Sequence, residues 1–358
     1  MQGVIVILIF IITSLIVFLE KYLGRYKLPI YVFLGLSLIL VAGFREIGLD
    51  ADSLVYESIY NSNMSADNGV EMEFSFSLLA SIMHLFTDDV HGLFLLYAIL
   101  GITLKFIAFR NLSVSWFMPV IVFISYYFEY HDCMEIRTSI LSAFMLLAIK
   151  PLAEGKKLYA LLLIIVGGFF HYSAIMLIPL FFLSNKPMSI RQKIFWGLCA
   201  PVGYLLHFGG SSLILNVSSN IPYIGERIET YQNGAIWNIL QGDLNIFAPL
   251  HLFMIMLFYY LLFFQDVIIE NNKYYPIMMK ICAIGMFAFP VLSIVPVFAQ
   301  RVSMQYFVVN IILYATLQYT LKPKWVGALF VIAVSFVLLN YSLPEIGTHI
   351  FWGGGDAN

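Results

Sequence analysis

The chain has 358 residues, of which 61% are hydrophobic and 11% are charged, and its mean hydropathy is +0.88. This composition excludes a soluble globular domain, and a net charge of -2 without any basic run argues against a nucleic-acid partner. Apolar runs of about 20 residues recur along the chain, as in helices that cross a membrane. We therefore predict an all-α, polytopic helical bundle that forms a single transmembrane domain over residues 1–358.

The apolar runs, in chain order, predict about 12 crossings with both ends of the chain outside. The predicted spans are 2–19, 29–44, 91–109, 116–130, 136–150, 157–171, 173–184, 194–208, 247–265, 276–298, 303–320 and 325–341. Between the second and third spans, residues 73–86 are interpreted as an amphipathic or partly inserted helix on the outside, because a full crossing there would invert everything that follows.

The positive charges orient these spans, because Lys and Arg in short loops mark the cytoplasmic side. On the predicted topology only four of the 19 basic residues fall outside, and all four are arginines: Arg45, Arg137, Arg227 and Arg301. Arginine offers a planar fork that bonds phosphate or carboxylate at two points, whereas lysine is a point charge. The asymmetry favours an anion-binding face, although chance selection among four residues would also produce it.

Two longer polar loops, at about residues 45–72 and 209–246, are predicted on the same outer face. The first opens with Arg45 and contains Asp50, Asp52 and Tyr56, and the second contains Arg227 with several aromatic residues. Arginines suit a pyrophosphate, and carboxylates with aromatic side chains suit a sugar ring. The alternative is that these loops are plain connectors.

Three further polar positions interrupt apolar runs on this face. Arg137 follows Asp132 and Glu135 where one predicted helix ends and the next begins, and Arg301 lies between two apolar runs. His171 follows two glycines, which allow a close approach of helices, and could act as a general base or hold a phosphate. Flanking loop charges and a hydrogen-bonded structural histidine are the alternative interpretations. No histidine shows a metal-ligand spacing, so we expect no metal.

The segments GFREIGLDADSLVY, EIRTSILSAFMLLAI and FHYSAIMLIPL occur in this order and together resemble the EpsG family of bacterial polysaccharide polymerases, which is related in role to the Wzy O-antigen polymerases. The family pattern has an FR-x-G-x-D-x-x-x-Y segment, an IRQ-like motif and an H-x-S-A segment. Here Thr138 replaces the usual glutamine, and an extra residue precedes the acidic pair. Either Asp50 or Asp52 can therefore match the family aspartate.

The resemblance implies a glycosyltransferase that moves a growing glycan from undecaprenyl pyrophosphate to a lipid-linked repeat unit. The activity would lie at the periplasmic face of the bacterial inner membrane. Asp50, Asp52 and His171 would be catalytic, and the substrate-binding set would be Arg45, Tyr56, Arg137, Ser173, Arg227 and Arg301. Of these, Arg227 and Arg301 rest on the charge argument alone.

We expect no cofactor, since arginines would neutralise the pyrophosphate leaving group. The expected partners are the lipid-linked glycan substrates and membrane lipid, with a chain-length regulator as a further candidate. Two rivals stay open, namely a lipid-linked oligosaccharide flippase or other transporter and a non-catalytic subunit of the export machinery. The predicted helix centres carry almost no ionisable residue, which argues against a coupled transporter.

Overall fold

The structure is a computed structural model that describes residues 2–48, 50–62, 73–219 and 244–343, with the backbone alone for Ala51 and residues 211–219. Within these ranges the chain forms helices joined by turns and no β-strand. The all-α prediction is therefore confirmed for the described residues. The chain divides into two compact units, Met1–Phe182 with Ile311–Asn358, and Leu183–Asn310. The prediction of a single transmembrane domain stays a prediction.

The first unit is built around one long helix, His91–Leu112. Its helices are α1 (Gln2–Leu19), α2 (Lys27–Gly43), α3 (Ala51–Asn61), α4 (Phe74–His84), α5 (His91–Leu112), α6 (Met118–Val122), α7 (Ile136–Ala153) and α8 (Lys157–Gly168). A π-helix (Phe123–Met134) follows α6, and a 3-10 helix (Tyr172–Phe182) follows α8. Helix α5 packs against α2 and α7, and α7 packs against α8.

The second unit contains α9 (Ile190–Gly197), α10 (Cys199–Ser219), α11 (Pro249–Phe263), α12 (Gln265–Ile269), α13 (Tyr275–Leu292) and α14 (Pro296–Phe307). Within it, α13 packs against α10 and α14. The chain then passes through α15 (Asn310–Ala315) and a 3-10 helix (Thr316–Tyr319) to α16 (Lys324–Ser342), which belongs to the first unit and packs on the π-helix.

In the part of the chain that the structure describes, six helical stretches are long and apolar enough to cross a membrane: Gln2–Tyr22, Gly24–Gly43, His91–Leu112, Ile136–Ala153, Tyr275–Leu292 and Lys324–Ser342. Shorter apolar helices lie at Phe74–His84, Lys157–Gly168, Tyr172–Phe182 and Pro249–Phe263. The membrane-protein prediction is confirmed at this level, while the number of 12 crossings and their orientation stay predictions. Residues 303–320, predicted as one span, belong to three helical pieces.

Both predicted loops hold more helix than expected. Helix α3 occupies residues 51–61 because Asp50 accepts a hydrogen bond from the Ser53 backbone N–H at 2.7 Å and so caps the helix. Helix α10 continues to Ser219, past the glycine pair at which the span was expected to end. Two glycines weaken a helix but do not stop it when apolar residues follow. Arg227 lies outside the described residues.

Several basic residues lie inside helices. Lys105 and Lys280, which the charge argument counted on the cytoplasmic side, lie within α5 and α13, and both are buried. A charge near the end of an apolar run can be buried when a partner satisfies it. Arg301 was placed between two apolar runs, but the backbone continues through it within α14 of the second unit. A break in hydropathy is not by itself a break in a helix.

Candidate active site

Four helix ends in the first unit carry polar residues of the candidate site: three of these residues were singled out from the sequence, and the fourth, His91, was not. Arg45 follows the end of α2, His91 opens α5, Arg137 lies in the first turn of α7, and His171 follows α8. The close packing of α8 on α7 depends on Gly167, since a Cβ there would lie 2.8 Å from Leu141 Cδ1. The close helix approach predicted from the glycines before His171 is thus confirmed.

Arg45 is buried, with 2% of the residue exposed. Its Nη1 donates to the Ala42 carbonyl at 3.0 Å, and its guanidinium lies 3.8 Å from the centre of the Phe94 ring. Within the described part of the chain, Nε and Nη2 have no hydrogen-bond partner. A buried donor without an acceptor is costly, so this guanidinium has capacity for a further acceptor, which none of the described residues supplies.

Asp50 is the carboxylate that pairs with Arg45 among the described residues, with Oδ2 at 3.8 Å from Nε. This distance makes an ion pair but not a hydrogen bond. Burial raises the pKa of the Asp50 carboxyl, and the Arg45 guanidinium opposes that rise. Asp52 lies in the first turn of α3, and its negative charge raises the pKa of Asp50 further.

His91 holds the backbone of Arg45 in place. Its Nε2 lies 3.0 Å from the Arg45 carbonyl oxygen, which can only accept, so Nε2 is the donor. The other ring nitrogen, Nδ1, lies 2.7 Å from an Asp89 carboxylate oxygen. The start of α5 is thereby joined to the segment that follows α2.

The second arginine of the site is paired by a carboxylate that the sequence motifs did not indicate. Arg137 Nη1 donates to Glu73 Oε2, and the guanidinium lies 5.7 Å from the centre of the Tyr56 ring. Glu73 is 4% exposed and precedes α4. Tyr56 is itself buried and packs on Phe76 at a centroid distance of 5.7 Å. Arg137, Glu73 and Tyr56 thus form one buried cluster.

His171 faces the same carboxylate. Its Nδ1 accepts from the Ser173 backbone N–H at 3.1 Å and lies 2.7 Å from Ser173 Oγ, while Nε2 lies 3.9 Å from Glu73 Oε1. Because a backbone N–H can only donate, Nδ1 is an acceptor, and the neutral ring carries its proton on Nε2. In this arrangement His171 presents a donor, not a free lone pair, towards Glu73.

The structure therefore brings the three motifs together. Arg45 stacks on Phe94, Phe94 packs against Tyr56 at a centroid distance of 6.3 Å, and Tyr56 lies beneath Arg137. Glu73 then links Arg137 to His171. Among the described residues, no group of three or more His, Cys, Asp or Glu side chains is arranged to hold a metal ion.

Glu73 was missed because its segment was interpreted as an amphipathic helix, and no local pattern connects it to Arg137. The one available signal is a lone acid at the start of an apolar stretch, EFSFSLLASIMHLF. Glu135, which the sequence did place near Arg137, is buried and bonded elsewhere: Thr138 Oγ1 donates to its Oε2 at 2.9 Å. Its carboxylate supports the turn into α7.

These features define a helical membrane protein with arginine, carboxylate and histidine side chains gathered where several apolar helices begin or end. A sequence profile of the EpsG family matches residues 28–350, and the chain belongs to this family. The resemblance drawn from the three motifs is confirmed. Searches of curated proteins and of solved structures found no match. Membership makes the chain a membrane protein of polysaccharide biosynthesis, from a family associated with glycosyltransferase-like polymerases.

Proposed function

We propose that the protein is a glycan repeat-unit polymerase. It transfers a growing chain from undecaprenyl pyrophosphate to a lipid-linked repeat unit at the periplasmic face of the bacterial inner membrane. The observation that carries the proposal is Arg45, a buried guanidinium with two donor groups that lack a partner among the described residues. A pyrophosphate oxygen is an acceptor of the right charge and geometry for such a fork.

In the proposed reaction, the acceptor hydroxyl oxygen attacks the anomeric carbon of the donor glycan. The bond from that carbon to the pyrophosphate oxygen breaks, and the bonding electrons leave with undecaprenyl pyrophosphate. Arg45 stabilises the negative charge that develops on the leaving group. Arg137 Nε, a further buried donor without a partner in the described residues, adds positive charge to the site.

The proton of the acceptor hydroxyl passes to a carboxylate. Asp50 and Asp52 lie beside Arg45, and burial raises the pKa of Asp50, which brings its basicity closer to what proton abstraction near neutral pH requires. His171 carries its neutral-state proton on Nε2, so we assign it a hydrogen-bond donor role at a substrate oxygen. Tyr56 supports Arg137 from below, and Ser173 sets the His171 ring.

One observation favours the transporter as a second candidate. Lys105 and Asp132 form a fully buried ion pair inside the first unit, with Nζ and Oδ2 2.7 Å apart. Coupled transporters carry ionisable groups of this kind within the membrane. The sequence analysis expected almost no ionisable residue at the helix centres, and this buried pair is the reason for a direct test between transfer and transport.

The test uses purified full-length protein in proteoliposomes loaded with defined lipid-linked repeat units. A polymerase gives a ladder of products and releases one undecaprenyl pyrophosphate for each bond formed, and Arg45→Ala abolishes both. Movement of repeat units across the bilayer without a ladder would identify a transporter. If the folded protein neither forms polymer nor moves repeat units across the bilayer, it is a non-catalytic subunit of the export machinery.

A further inference from the structure

The Lys105 side chain has no role in the proposed reaction, yet it is the most completely buried charge of the first unit among the described residues. Lys105 is 0% exposed, and the side chain of Asp132, with which it forms an ion pair, is 0% exposed as well. A buried lysine is retained when its donors are satisfied and something depends on it. The question is what depends on this one.

Lys105 makes two hydrogen bonds to two different elements. Its Nζ donates to Asp132 Oδ2 in the π-helix at 2.7 Å and to Ser139 Oγ in α7 at 2.7 Å. Ser139 Oγ in turn donates to Asp132 Oδ1 at 2.6 Å. The three side chains close a ring in which each hydrogen bond links a different pair of elements, from α5, the π-helix and α7.

Asp132 and Ser139, the two residues to which Lys105 donates, lie before and after the turn that carries Arg137. The π-helix ends at Met134, where the Glu135 N–H bonds to the Tyr130 carbonyl at 3.0 Å, and α7 begins at Ile136. A π-helix is less stable than an α-helix and is often found at functional positions. Asp132 holds the end of the π-helix and Ser139 holds the first turn of α7, so Lys105 fixes both flanks of the Arg137 turn.

The side chains of the ring pack closely against the backbone of α5. Gly101 lies one turn before Lys105 on α5, and a Cβ there would collide with Ser139 Oγ and lie 2.9 Å from Asp132 Oδ1. Only a glycine lets the α5 backbone approach this closely. The ring is therefore built into the helix interface.

We propose that Lys105 is a positioning residue that clamps residues 132–139 and thereby directs Arg137 towards Glu73 and the candidate site. The catalytic part of this inference rests on the proposed function, whereas the clamp itself does not. The same ring accounts for the buried charge without a transport role, because all of its charged and hydroxyl groups are engaged with one another.

The cleanest variant is Ser139→Ala, which opens the ring without leaving a buried charge alone. Ser142→Ala is the matched control, since Ser142 is on the same helix, is equally buried, and donates only to the Ser139 carbonyl at 2.7 Å. Lys280→Met is the control for Lys105→Met: Lys280 is a 2% exposed lysine in the second unit, bonded to the Ser184 and Lys186 carbonyls.

Amide hydrogen exchange of the purified full-length chain in nanodiscs tests the clamp without any substrate. We expect Ser139→Ala and Lys105→Met to raise exchange in peptides covering residues 123–139 by at least about tenfold, and the two controls to leave these peptides unchanged. Equal exchange in Ser139→Ala and Ser142→Ala would overturn the clamp. If Lys105→Met does not fold, the comparison of Ser139→Ala with Ser142→Ala still decides whether the ring clamps residues 132–139.

Polymerisation kinetics then test whether the clamp acts through Arg137. We expect Ser139→Ala to lower kcat about tenfold with KM little changed, and to have almost no further effect in an Arg137→Lys background. The same loss in both backgrounds would contradict action through Arg137. If the wild-type chain forms no polymer, the proposed function fails, while the exchange experiment still decides the clamp.

Discussion

Glu73 accepts a hydrogen bond from Arg137 although 64 positions separate the two residues in the chain. The same carboxylate lies 3.9 Å from His171 Nε2. The contact therefore links two of the motifs that define the family pattern through a residue that belongs to neither. Under the proposed function, Arg137 and His171 face one substrate and must be held at a fixed separation, and their shared contact with the Glu73 carboxylate provides this.

We expect Glu73→Gln to abolish polymer formation, because Arg137 loses its counter-charge and the negative charge that faces His171 Nε2 is removed. Leaving a largely buried guanidinium without its partner also costs about 1–3 kcal/mol of stability. Polymer chain length and the Tm of the purified protein measure the two effects. Glu46→Gln is the control, since Glu46 lies exposed beside Arg45. If Glu73→Gln polymerises as well as Glu46→Gln, Glu73 has no part in the site.

Arg45→Lys tests the anion site with the charge retained. A lysine cannot present two parallel donors, and each charge-assisted hydrogen bond contributes about 1.5–3 kcal/mol, so we expect kcat/KM for the lipid-linked donor to fall about 10- to 100-fold. Arg110→Lys is a matched control. Arg110 also stacks on an aromatic ring, that of Trp116 at 3.9 Å, and bonds to local carbonyls. Equal effects of the two substitutions would contradict a role for Arg45 in substrate binding.

The two aspartates can be separated by pH. A carboxylate base is inactive when protonated, so the rate falls as pH decreases through its pKa, and burial raises that pKa for Asp50. The charge of Asp52 raises it further. If Asp50 is the base, Asp52→Asn keeps activity and moves the acid limb of kcat/KM to lower pH, and Asp50→Asn is inactive. Loss of activity in Asp52→Asn alone would identify Asp52 as the base.

Gly101→Ala tests the packing beneath the Lys105 ring. The added methyl would collide with Ser139 Oγ, and such overpacking costs about 1–3 kcal/mol. We expect a lower Tm and reduced polymerisation. Gly209→Ala is the control, because Gly209 is an exposed glycine within α10 and has no atom within 4 Å of the added Cβ. That control should be neutral or stabilising by up to about 1 kcal/mol. A tolerated alanine at position 101 would show that the interface has room to relax.

The residues of the candidate site that the sequence revealed are those in local motifs. Arg45, Arg137 and His171 each stand where an apolar run begins or ends, and hydropathy alone makes such positions visible. Their convergence follows from topology, because alternate ends of successive spans meet on one side. Neither Glu73 nor Lys105 could be assigned in this way, because each is defined by partners from other helices.

Lys105 shows what the charge rule cannot reveal. The rule for orientation relies on lysines near helix ends, and Lys105 lies about two turns before the end of α5, a distance at which a solvated lysine is expected to reach the interface. Only the position of Asp132 on a neighbouring element makes burial possible. The same limit applies to the span of residues 303–320, where composition is continuous but the helix is divided.

The most direct test of the central claim is glycan chain length on a gel from a deletion strain complemented with wild type, Arg45→Ala or Arg137→Ala, each checked for membrane expression. We expect wild type to restore the polymer ladder and both variants to export single repeat units without a ladder. Loss of all surface glycan, with lipid-linked units trapped inside the cell, would contradict a polymerase and indicate transport. A normal ladder from both variants would show that these arginines do not form the site.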